Sequence, residues 1–283
     1  MKQSNKNNKF KYKIAVIPGD GIGPEVISAS LKVIRKALLL DNILIKEKVF
    51  NWGSSYYKKY NLMMPNNGLE KLKKYDAIYF GAVGDENIYD DITLWGLRLK
   101  ICQSLDQFAN VRPSKYIYGI SSPLKTEIVK NIDWVIIREN SEGEYSGAGG
   151  IVHKGLALEV GSELAIFTRE GCRRIHDYAF KVASLRPSKH LTLITKSNAQ
   201  RHGMKLWDQI FYEVSKNYPL VKTQKLLVDA ATAVMVNSPE NIDVMVATNL
   251  HADILSDLAS ALTGSLGIGA TANITCNKNY PSM

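Results

Sequence analysis

Cysteine is scarce in this chain: three in 283 residues. Cys102, Cys172 and Cys276 stand far apart with no CxxC pair. That excludes a disulfide framework and a zinc site of the paired-cysteine kind, and it points to a reducing compartment, the cytoplasm. Long apolar runs are missing too. Nothing approaches the roughly 20 residues that a membrane helix needs, so no membrane partner is expected. The first 13 residues, Met1 to Lys13, are polar and lysine-rich without an apolar segment or an arginine. They read as a disordered leader over residues 1–12, neither a secretory signal nor a transit peptide. No internal repeat, low-complexity tract or flexible linker interrupts the chain, so a domain division must be made by packing. The net charge is +9, but five of the lysines lie in the first 13 residues and no dense basic tract is interleaved with aromatics. A nucleic-acid partner is therefore not expected.

What is present is a core and a rhythm. Apolar residues make up 45% of the chain, enough for one large domain or two smaller ones. Lys13-Ile-Ala-Val-Ile-Pro18 is a short apolar run that ends in Gly19-Asp-Gly21-Ile-Gly23, and a helical pattern follows to about Leu40. Further strand candidates are 76–82, 134–137, 191–195, 225–229 and 244–248, separated by segments of helical period. Strands alternating with helices predict an α/β fold with mostly parallel sheets. Residues 146–168, around Gly149-Gly150, instead read as a hairpin arm. The last strong helix covers 250–262, and the tail beyond Gly269 shows no closing strand or helix.

The chemistry-bearing residues fall at strand ends and first helical turns. Asp253 and Asp257 are four apart in Asn249-Leu-His-Ala-Asp253-Ile-Leu-Ser-Asp257, on one helical face. Two such carboxylates repel unless something positive sits between them, and a hard divalent cation takes oxygens of this kind. Asp pairs at this spacing also occur on ordinary solvated surfaces. Asp229 ends a strand candidate and could be a third oxygen ligand. Arg112 and Arg138 could each grip a carboxylate through paired hydrogen bonds, although isolated arginines more often make structural ion pairs. Lys196 follows a strand, where a cationic, partly dry pocket would let it act as a base. The glycines at 19, 21 and 23 are spaced by two, which fails the G-x-G-x-x-G dinucleotide fingerprint. They read as a tight turn before a helix or as a loop lining a ligand cleft.

Five segments together resemble the β-decarboxylating dehydrogenases, the isocitrate/isopropylmalate dehydrogenase family. They are Ile17 to Val26, Phe108-Ala-Asn-Val-Arg-Pro113, Arg138-Glu-Asn-Ser-Glu-Gly-Glu-Tyr145, Thr195-Lys-Ser-Asn198 and Asn249 to Asp257. Leu94 to Leu97, Leu105 to Phe108 and the long stretch from Thr195 to Trp207 look most like the tartrate/D-malate branch. The resemblance implies a two-domain isopropylmalate-dehydrogenase-like α/β fold with a β-hairpin clasp, not a Rossmann fold. The first, cofactor domain would cover 13–113 plus 264–283, and the second 114–263 with a dimer clasp near 146–168. It implies NAD- and Mg- or Mn-dependent oxidative decarboxylation of a 2-hydroxy dicarboxylate of D-malate or tartrate type, with 3-isopropylmalate as the alternative. A non-catalytic homologue is the alternative of another class.

Residue by residue, the resemblance makes Tyr145 the acid and Lys196 the base, with Arg98, Arg112 and Arg138 on the substrate. Asp229, Asp253 and Asp257 would hold the metal, and Asn198, Gly264, Ser265 and Gly267 would line the NAD site. Lys196 and Asp229 would come from the second subunit of a homodimer. Cys102 stands where the family carries an arginine, and Arg98, one helical turn earlier, would substitute for it. The family continues past this point with an adenosine-binding loop. The chain is therefore expected to be truncated, with an incomplete first domain exposing apolar sheet surface.

Overall fold

The computed structural model describes residues 12–264 and 267–283. The leader thus lies outside the described residues except for Tyr12, which already pairs with Ile45 in a strand. The chain divides into two compact units, residues 1–107 with 275–283 and residues 108–274.

The first unit contains β1 (Tyr12–Gly19), α1 (Gly23–Leu40), β2 (Ile45–Val49), α2 (Ser54–Tyr60), α3 (Gly68–Leu72), β3 (Ala77–Ala82) and α4 (Asp90–Thr93). A π-helical turn (Leu94–Arg98) and α5 (Leu99–Ser104) complete it. Its sheet is parallel, in the order β2-β1-β3. Side chains alternate across a strand. Ala15 and Ile17 of the central strand therefore face a core with Trp52, Met63, Leu97 and Ile101, while Val16 faces Ile27 and Leu31 of α1. Both faces of the central strand are covered. Exposed apolar residues of this unit include Val49 at the edge strand β2 and Val26, Val33, Leu39 and Leu40 on α1.

The glycine turn is built by close packing. Gly19 has φ +72°, and a Cβ on Gly23 would stand 2.2 Å from the Pro18 carbonyl oxygen. The buried Asp20 accepts from the Ser54 amide and hydroxyl and from the Gly84 amide, at 2.6, 2.7 and 3.1 Å. Gly21 joins Gly84, Asp85 and Glu86 around an open depression of about 590 Å³. The turn is both tight and cleft-lining.

The second unit contains β4 (Ala109–Lys115), α6 (Thr126–Val129), β5 (Asp133–Glu139), β6 (Gly143–Val152), β7 (Val160–Ile166), α7 (Arg169–Leu185) and β8 (His190–Thr195). Then follow α8 (Gly203–Ser215), β9 (Lys222–Leu227), α9 (Val228–Asn237), β10 (Val244–Ala247), α10 (Asn249–Thr263) and β11 (Ala272–Ile274). Six strands run β11-β4-β5-β10-β8-β9. The four from β5 to β9 are mutually parallel, while β4 and β11 are antiparallel at one edge. Ile137, Leu191, Leu193, Val244 and Val246 pack toward α7 and α8; Trp134, Ile136, Ile194 and Met245 pack toward α9 and α10. A sheet buried on both faces explains why its strands read as continuous apolar runs. The strands β6 and β7 stand apart as an antiparallel hairpin, and all of β7 is exposed. The arm starts at Gly143, three residues before the expected 146.

The expected boundaries at 113 and 264 differ from those of the two units. Residues 108–115 belong to the second unit because β4 pairs with β5 along its whole length. Residues 264–274 follow because β11 pairs with β4. The tail, expected to be without a strand, therefore contributes one, and it then enters the first unit. There Gln107 donates to the Pro281 carbonyl at 2.8 Å and Ile78 to that of Ser282 at 2.9 Å. A strand of three residues, Ala272-Asn273-Ile274, is too short to carry a pattern that can be read locally.

Gly23→Ala should lower unfolding stability by about 2 kcal/mol through overpacking against Pro18. Gly21→Ala, with no atom within 4 Å of its Cβ, meets only its positive φ of 54° and should cost about 1 kcal/mol. Urea unfolding of the two variants checks the order.

Candidate active site

The site of the second unit is assembled where β5 ends and α10 begins. Arg138 is the second-last residue of β5 and its side chain is 1% exposed. A buried guanidinium needs a carboxylate and a full set of acceptors. Asp253, one turn into α10, pairs with it, and Asn249 Oδ1 accepts from Arg138 Nε at 2.8 Å. Asn249, Asp253, Ser256 and Asp257 recur at helical spacing, so α10 presents them as one stripe. Arg112 reaches that stripe from β4. It donates to Ser256 Oγ at 2.6 Å and Asn110 Oδ1 at 2.9 Å, and it lies 3.5 Å from Asp253 and 3.6 Å from Asp257. Tyr145, on β6, donates to the other oxygen of Asp253 at 3.3 Å, and its ring lies 5.5 Å from the Arg138 guanidinium carbon.

Three carboxylates between Arg138 and Tyr145 fix the scaffold. Glu139 is 1% exposed and accepts from the Ser141 hydroxyl and from the Ser141 and Glu142 amides. Burial pushes it up to about 7, against those hydrogen bonds. Glu142 accepts from the Thr168 amide and hydroxyl, at the start of α7. Glu144 accepts from Thr248 Oγ1 at 2.9 Å and the Leu250 amide at 3.2 Å, supplying negative charge at the α10 N-terminus.

Lys196 and Asp229 form a second focus. Lys196 follows β8 and donates to Asp229 at 2.6 Å. Asp229 does not end a strand, as expected, but opens α9. The β8–β9 pairing stops at Thr195 and Leu227, and the first helical turn favours an acid. Lys196 holds Asp229 below the usual carboxylate range. Burial pushes the His251 imidazole down; Glu144 opposes this, and the Lys196 charge adds to it.

The structure gathers Arg112, Arg138, Tyr145, Asp253 and Asp257, and it pairs Lys196 with Asp229 as a separate focus. Arg98 lies in the π-helical turn of the first unit. Asn198 and Gly267 are exposed in loops of the second unit, and Ser265 lies outside the described residues. Gly264 has φ +125° and ends α10; a Cβ there would stand 2.4 Å from Ile120. Packing by itself requires that glycine. Asn249, Ser256 and Glu144 were missed as site residues. The signal for the first two was their place on the Asp253 stripe.

Among the described residues no group of three or more His, Cys, Asp or Glu of one chain could hold a metal ion. The donor chemistry nonetheless fits in part. Asp253 and Asp257 are 36% and 65% exposed, offer hard oxygens, and already converge on one cationic group, that of Arg112.

Two outcomes are expected. Asp253→Ala should cost roughly 2 kcal/mol in urea unfolding, since it strands a buried guanidinium while Asp253 itself is partly solvated; adding Arg138→Met should recover most of the loss. Glu139 binds its proton more tightly folded than unfolded, so its contribution to stability is full below its unfolded value near 4.5 and is lost as pH rises to about 7. Stability should fall by about 3 kcal/mol across that window in the wild type relative to Glu139→Gln.

Residues 13–281 match the family model for isocitrate/isopropylmalate dehydrogenase. A probable tartrate dehydrogenase/decarboxylase of Agrobacterium vitis is 60% identical over 274 residues, covering 96% of this chain and 76% of the relative. The D-malate dehydrogenase (decarboxylating) of Escherichia coli is 42% identical over 273 residues, covering 96% and 76%. The crystal structure of isocitrate dehydrogenase from Methylococcus capsulatus superposes with a TM-score of 0.84 at 31% identity, covering 96% of this chain and 76% of that one. With five motifs in order, the matching α/β fold and these relatives, the chain belongs to the isocitrate/isopropylmalate dehydrogenase family.

Proposed function

We propose that this family member is an NAD- and divalent-metal-dependent dehydrogenase that oxidatively decarboxylates a 2-hydroxy dicarboxylate of the D-malate or tartrate type. The observation that carries the reading is the convergence of two arginines and a tyrosine on the Asp253–Asp257 stripe. The names of the tartrate and D-malate relatives support the substrate class.

Arg112 and Arg138 bind the substrate carboxylates, each with a fork of donors suited to one. Arg98 is assigned to the same task. Lys196 takes the proton of the substrate hydroxyl, and Tyr145 delivers a proton to the carbon from which CO₂ has left. Asp253 and Asp257, with Asp229 of a second copy, would hold Mg or Mn. The cation would supply Lewis-acid stabilisation of negative charge, and NAD would accept the hydride. Asn198, Gly264, Ser265 and Gly267 are assigned to the NAD side. Pairing of Lys196 with Asp229, with no group of three acids among the described residues of one chain able to hold a metal, supports a homodimer with shared sites. The exposed β6–β7 arm, with Ile151, Val152, Val160, Leu164 and Ile166 outward, supports the dimer clasp.

Wild-type protein with NAD⁺ and Mn²⁺ should produce NADH from D-malate or tartrate, and Lys196→Met should lower kcat by about 100-fold. Activity confined to a 3-alkyl malate would overturn the substrate class. Separately inactive Lys196→Met and Asp253→Asn proteins, unfolded and refolded together, should regain about a quarter of wild-type activity through mixed dimers. No recovery would overturn the shared site.

A further inference from the structure

Asp208 lies in α8, outside every segment that carries the family resemblance, yet its carboxylate is 12% exposed. A buried aspartate inside a helix favours neither the helix nor the core. Two donors account for it. Ser197 Oγ donates to Asp208 Oδ2 at 2.7 Å, and Lys225 Nζ of β9 donates to the same oxygen at 2.8 Å. The other oxygen is buried and has no partner among the described residues. The preceding residue, Trp207, is fully buried and donates its indole N–H to the Ile194 carbonyl at 3.1 Å. Consecutive residues of α8 therefore hold the chain on both sides of Thr195-Lys196. Trp207 grips the residue before this dipeptide and Asp208 the residue after it.

A lysine has four rotatable bonds, and its ammonium goes where its backbone and its counter-ion put it. Asp229 supplies the counter-ion from the first turn of α9. The backbone at 196 is the end of a strand, where sheet pairing ceases at Thr195. Past that point the Asp208–Ser197 bond ties the loop to α8. Resting on the reading of Lys196 as the base, we infer that Asp208 and Ser197 are positioning residues that hold Lys196 in place for proton transfer. Lys225 is the counter-charge paired with Asp208 in that position. Asp208 itself touches neither substrate nor cofactor.

Ser197→Ala is the decisive variant, because it leaves the Asp208–Lys225 pair and the Trp207 anchor intact. It should lower kcat about tenfold while KM for the diacid stays within about twofold, since a displaced base impairs the proton step and not substrate capture. Ser197→Thr, which keeps the hydroxyl, should restore most of kcat. Without substrate, reductive methylation followed by peptide mass spectrometry should show Lys196 labelled several-fold faster in Ser197→Ala, with the other lysines unchanged. Wild-type kcat and wild-type Lys196 labelling in Ser197→Ala would overturn the inference and leave the proposed reaction standing. A wild type without turnover whose Lys196 labelling still responds to Ser197→Ala would overturn the reaction and sustain the positioning.

Discussion

The buried guanidinium of Arg138 is the constraint on which the site depends. It stands at the end of a central strand of a sheet covered on both faces, where a positive charge has lost its water. Leaving it there unpaired would cost several kcal/mol. The helix that follows β10 must therefore bring a carboxylate to it, and Asp253 is that group. Once Asp253 is placed, the helical repeat places Asn249, Ser256 and Asp257, and Arg112 and Tyr145 can approach the stripe. A buried ion pair is a poor route to stability. Its value here is to fix Asp253, and with it the α10 stripe, within reach of Arg112 and Tyr145.

The segment from Arg138 to Tyr145 shows how closely binding and scaffold can be interleaved. Its two ends point into the site, while Glu139, Glu142 and Glu144 each anchor a different element: the turn itself, the start of α7 and the start of α10. In the proposed positioning, Asp208 plays the corresponding part for Lys196 from the helix that follows it, through Ser197. Candidate reacting groups thus sit on strand ends and first helical turns, and acids of fixed geometry hold those ends. Such preorganisation means that little rearrangement is left for the moment of reaction.

Much of the fold was legible because apolar runs and helical periods are local. The strands at 13–18, 76–82, 134–137, 191–195 and 244–248 all correspond to strands of the structure, as does α10 to the expected helix. What local pattern missed has a common cause. The strands β2, β4 and β11 lie at sheet edges or in the antiparallel part, where residues such as Lys46, Arg112 and Asn273 are polar or half-buried and blur the periodicity. Asp229 was misplaced by two residues because strand and helix abut without a loop.

The sequence by itself determined the residue types of the site, their order and their spacing on α10, and with them the family, because those are properties of contiguous motifs. Only the tertiary structure decided that Asp253 neutralises Arg138, that Lys196 pairs with Asp229, and that Ser197 is tied to Asp208. These contacts join residues 115, 33 and 11 positions apart, each pair lying outside a single helix or strand. Arg138 and Asp208 find their partners because burial strips water from a charge, which no local pattern records.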